Sequence, residues 1–92
     1  MFSGGSYDEV ARWLHNFLLA HAKRENPRVE VESESGDERQ GKSYAARLRL
    51  GDKLSPPIEL DYKEVADNRG SLAWGRAMAE RTRALARELT SS

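Results

Sequence analysis

The chain has 92 residues, enough for one compact core and too few for two. Fifteen basic side chains balance fifteen acidic ones, giving a formal net charge of zero, so no basic excess points to nucleic acid or a membrane surface. It contains no cysteine, which excludes disulfides, thiol catalysis and cysteine-ligated metals and fits a cytoplasmic location.

Residues 1–5 read as a disordered lead, with neither the basic nor the apolar region of a secretory signal. Ser6 and Glu9 then form a capping box that starts a helix, and Asp8 and Glu9 complement the positive end of its dipole. Tyr7, Val10, Trp13, Leu14, Phe17, Leu18 and His21 recur at three- and four-residue spacing, an amphipathic stripe. Pro27 disfavours helix at Asn26, so the first helix stops near residue 25. The stretch from Trp13 to Ala22 is far too short to span a bilayer.

Strict alternation of polar and apolar residues follows, the period of a half-buried strand. The first strand covers about 28–34 with Val29 and Val31 inward, and 35–41 form a polar hairpin loop. A second strand over about 42–50 turns Tyr44, Ala46, Leu48 and Leu50 to one face. Gly51 to Pro57 is a turn in which Pro56 and Pro57 forbid helix. The third strand, about 58–63, points Ile58, Leu60 and Tyr62 inward. Residues 64–70 are a linker with at most one helical turn, and a long helix covers roughly 71–90. On it Trp74, Met78, Leu85 and Leu89 share one side, flanked by Ala77 and Ala84. Gly75 marks either close approach to the first helix or a later helix start.

This order predicts an α+β two-layer sandwich over residues 6–90. An α-β-β-β-α chain folds as a three-stranded antiparallel meander with both helices on its apolar face, leaving the other face wet. On that wet face a hairpin centred near Glu38–Arg39 puts Glu30 opposite Arg47. One centred near Leu54 puts Arg47 opposite Asp61 and Arg49 opposite Glu59. Such an acidic–basic–acidic ladder fixes register and discourages edge-to-edge aggregation.

Little else carries chemistry. Arg69, Arg76, Arg83 and Arg87 line one side of the last helix and its approach, a row able to bind anions or to pair with Glu80. His15 and His21 are six apart, the wrong spacing for two ligands on one helical face, so no metal is expected. His21 reads as a helix-end residue whose positive charge the dipole favours. Trp13 and Trp74 fall on apolar stripes and anchor the core, while Leu19, on the polar side of its helix, hints at a partner surface. No nucleophile has a base and an orienting group, and there is no phosphate-binding glycine loop. Neither a catalytic residue nor a cofactor is expected.

The helix–three strands–helix order resembles the topology of double-stranded-RNA-binding domains. The resemblance implies a duplex gripped by the first helix, the first hairpin loop and the start of the last helix. Residues here at such places include Arg12, Lys23, Arg39, Lys42, Arg69 and Arg76, with Arg83 and Arg87 further along. The dense lysine cluster of that family's last helix is absent: Val65 to Ser71 offers one Arg and one Asp. With zero net charge, the expected function is a non-enzymatic binding or adaptor domain acting on another protein or on a second copy of itself. RNA binding is the alternative. No membrane partner is expected.

Overall fold

The computed structural model describes residues 6–34 and 41–91. The lead 1–5, most of the loop 35–41, and with it Arg39, lie outside the described residues. Three helices and a four-stranded antiparallel sheet follow in the order α1 (Tyr7–Glu25), β1 (Glu30–Glu34), β2 (Ser43–Leu50), β3 (Lys53–Leu54), β4 (Ile58–Asp61), α2 (Tyr62–Asn68) and α3 (Leu72–Ser91). The α+β sandwich expected from the pattern is present.

The capping box forms as expected: Glu9 N donates to Ser6 Oγ, and Ser6 N donates to Glu9 Oε1. Val10, Leu14, Leu18 and Ala22 form the buried ridge of α1 at four-residue spacing. Tyr7 ties the start of this helix to the sheet. Its ring stacks on Tyr44 at 4.6 Å, its hydroxyl donates to the Ser43 carbonyl, and the Tyr44 hydroxyl donates back to the Tyr7 carbonyl. Burial, with Tyr7 close by, pushes the Tyr44 hydroxyl well above the ordinary tyrosine pKa.

Strand β2 is central, with β1 on one side and β3 and β4 in succession on the other. The expected third strand ends earlier, at Asp61, and a short additional strand, β3, forms within the segment 51–57 expected as a turn. Leu50 pairs with Lys53 across a two-residue turn, and Gly51 adopts the left-handed φ of 65° that this corner needs. From Arg49 to Ala46 the central strand advances three positions while Leu54 to Ile58 advances four. The extra residue makes a bulge at Ser55–Pro57. Pro56 and Pro57, which lack N–H groups, are tolerated there. Ser55 holds the bulge: its N–H donates to Leu48 O and its Oγ accepts from Leu48 N, both at 2.9 Å.

These turns overturn the expected ladder. Glu30 lies opposite Arg49 and Glu32 opposite Arg47, a shift of two residues, because the first hairpin centres one residue later. On the other side Asp61 faces Ser43 and Glu59 faces Ala45, so neither Arg47 nor Arg49 has the expected β4 partner. Alternation survives the shift because a two-residue slip preserves the inward set. Val31, Tyr44, Ala46, Leu48, Ile58 and Leu60 are all buried.

Residue 62 begins a helix instead of continuing the strand. Seven residues, Tyr62–Asn68, form α2, with Val65 and Ala66 buried, where a linker was expected. In α3 the buried residues are Met78, Thr82, Ala86 and Leu89. Ala77 and Ala84 are exposed, and Trp74 and Leu85 flank the ridge. Thr82 tolerates full burial because its hydroxyl donates to the Met78 carbonyl at 2.7 Å. Contacts between α1 and α3 run in step: Trp13 with Trp74, Glu25 with Arg83 and Arg87, Asn26 with Thr90. The two long helices are thus parallel. Gly75 lies within α3, which rules out a later start, and a Cβ there would meet nothing within 4 Å. Close helix approach is not its reason.

Candidate functional site

Beside the start of α3 lies a groove of about 410 Å³. Phe17 and His21, one turn apart on α1, form one wall. The α2–α3 connection supplies Arg69, Gly70 and Ser71, and α3 supplies Leu72, Gly75, Arg76 and Ala79. Ser71 caps α3, its Oγ accepting from Trp74 N at 3.2 Å. This cap sets where the helix begins, and so presents Leu72 to solvent with 83% of its surface exposed.

Behind the groove stands an aromatic wall. Trp13 stacks on Phe17 at 5.1 Å and on Trp74 at 6.2 Å, and Phe17 meets His21 at 4.6 Å. The Trp74 indole N–H donates to Glu64 Oε2 at 3.0 Å. The Arg69 guanidinium lies 6.0 Å from the Trp13 ring centre, at the outer limit of a cation–π contact. Among the described residues, no carboxylate lines the groove.

His21 departs from the sequence expectation. Its pKa is lowered, first by burial and then by the positive charges of Arg24 and Arg83. Among the described residues, its Nδ1 is buried without a hydrogen-bond partner.

The sequence-selected cations are divided among separate places. Arg69 and Arg76 line the groove. Arg83 Nε and Arg87 Nε instead converge on the Glu25 carboxylate, at 3.0 and 3.4 Å, so their partner is on α1 rather than at Glu80. Glu25 is held below its ordinary pKa chiefly by the Arg83 hydrogen bond, partly opposed by burial and reinforced by Arg87. Lys23 Nζ donates to the Pro27 carbonyl at 2.7 Å. Arg12 and Lys42 are exposed and do not line the groove. Leu19, taken as a partner hint, packs against the core. One turn before it, His15 Nδ1 meets Ser33 Oγ at 2.9 Å, which places that side of α1 over β1.

On the outer sheet face Arg49 reaches Glu32 at 2.9 Å and Glu30 at 3.6 Å, an ion cluster along the β1–β2 pairing. Among the described residues, no group of three or more His, Asp or Glu is placed to hold a metal ion, and no helix is long and apolar enough to cross a membrane. No protein-family model matches the chain, and no curated protein or solved structure is significantly similar to it.

The roles of four residues were missed in the sequence. Leu72 lies off the apolar stripe of its helix, and an isolated leucine at a helix start carries no distinctive signal. Glu25 reads as an ordinary helix-end carboxylate until the parallel packing brings α3 beside it. Phe17 and His21 read only as stripe residues, because the groove exists only once α1 and α3 are side by side.

Proposed function

We propose that the chain is a small, non-enzymatic protein-interaction domain acting in the cytoplasm, and that it docks its partner in the groove between α1 and the start of α3. The observation that carries this reading is the groove itself. It combines apolar walls, two arginines at its edge and a leucine left almost wholly in water, the mixture of apolar centre and polar rim that protein interfaces use. A displayed random-peptide library selected on the intact chain tests it. Enriched sequences should bind the parent chain and lose binding to Gly75→Leu, which fills the groove. Failure to enrich any sequence sensitive to that substitution overturns the reading.

RNA binding is the rival, supported by Arg69 and Arg76 at the start of the last helix. Glu25 weighs against it by taking up Arg83 and Arg87. A duplex RNA titrated at rising salt separates the two. Neutralising several phosphates gives a steep fall in affinity with salt, whereas the docking reading expects no binding even at low salt.

A further inference from the structure

We infer that the occupant of the α1–α3 groove is an acidic segment of another protein carrying one bulky apolar side chain, an inference that rests on the docking reading above. The first support is Gly75. A glycine inside a helix costs about 0.5–1 kcal/mol against alanine, and such a residue is ordinarily explained by a neighbour pressed against it. Here a Cβ would meet nothing within 4 Å, and the same holds at Gly70. Both glycines line the groove without contributing a side chain to it. One large apolar side chain of a partner fits such a space, bounded by Phe17, Ala79 and the exposed Leu72.

The second support is charge. Arg69 and Arg76 line the groove, and no described carboxylate joins them there. Arg83 and Arg87, by contrast, share the single Glu25 carboxylate, which offsets one of their two charges. Arginine presents a planar fork of donors suited to carboxylates, and the positive end of the α3 dipole adds to the same preference. Nucleic acid fits less well. Two arginines neutralise few phosphates, and Trp13 and Trp74 stack on each other instead of presenting free faces to bases.

The experiment uses short fluorescein-labelled peptides: a leucine flanked by glutamates, the same with glutamines, the same with lysines, and the glutamate peptide with alanine at its centre. Anisotropy gives affinity, and amide chemical shifts of the intact chain give location. The glutamate–leucine peptide should bind roughly fivefold or more tightly than the glutamine form at low salt. It should shift Phe17, Gly75 and Ala79, and weaken when the central leucine is removed. Arg76→Glu should turn the preference toward the lysine peptide. Gly75→Leu should abolish binding while keeping the parent's circular dichroism and a thermal midpoint no lower than the parent's. Equal binding of the glutamine peptide in the groove overturns the acidic occupant and leaves the docking reading standing. Failure of every peptide, or shifts confined elsewhere, overturns both. Shifts at the same residues with duplex RNA assign the groove to nucleic acid and overturn the proposal.

Discussion

Leu48 sits at the centre of β2 with its side chain fully buried, and its N–H donates to a serine hydroxyl instead of a strand carbonyl. Ser55→Ala leaves that buried donor without an acceptor, so stability should fall by about 1–3 kcal/mol. The check is a lower urea midpoint with an unchanged slope. Gly75 should respond in the opposite sense. Open space around its Cβ position means that Gly75→Ala gains helix propensity without a clash, raising stability by about 0.5–1 kcal/mol in the same assay. His21 supplies a third reading at this scale. Its folded pKa lies below the ordinary 6.5, so the unfolded chain binds its proton first. The stability from His21 is complete above 6.5 and is lost as pH falls through the lower folded value. A ring-proton titration by NMR should show a midpoint below 6.5. Neither the role of Ser55 nor the lowered pKa of His21 was legible in the sequence, because each depends on neighbours brought close only by folding.

Among the elements, the pairing of α1 with α3 shows how a local charge is assigned a long-range task. Parallel helices put two negative dipole ends side by side, an unfavourable arrangement. Lys23 and Arg24 in the last turn of α1 offset it, and Glu25 is tolerated there because Arg83 and Arg87, further back along α3, close on it. The carboxyl is held below its ordinary 4.5. Its stabilising contribution is therefore complete above that value and disappears as pH falls through the lower folded one. Glu25→Gln should lower the thermal midpoint at neutral pH, with the difference from the parent shrinking toward zero in strong acid. Helices and strands themselves were legible from period and caps. The break in the third strand was not: alternation continues through Ile58–Tyr62, and nothing local shows that Tyr62 turns into α2. Registers were missed for a related reason. A slip of two residues leaves every side chain on its own face, so hydrophobic pattern cannot distinguish the two pairings.

For the whole molecule, one core joins α1, α2, α3 and the sheet, and Leu18 and Leu48 are among its fully buried side chains. Leu18→Ala should cost about 2–5 kcal/mol, a large part of the roughly 5–15 kcal/mol typical of a domain. A depressed urea midpoint with loss at every spectroscopic probe together is the expected result. The overall architecture was legible because it follows from burying three alternating strands under two amphipathic helices. The groove was not, since it belongs to the angle at which those helices lie and to a leucine without pattern.

Because α1 and α3 point the same way, Tyr7 and Ser91 fall at opposite ends of the helical layer, separated by roughly 30 Å, the length of a twenty-residue helix. Joining them to make a circularly permuted chain needs a connector of at least about nine extended residues; a tight turn cannot serve. The same geometry distances Ser91 from the groove at the other end of α3, so a label attached there reports on docking without obstructing it.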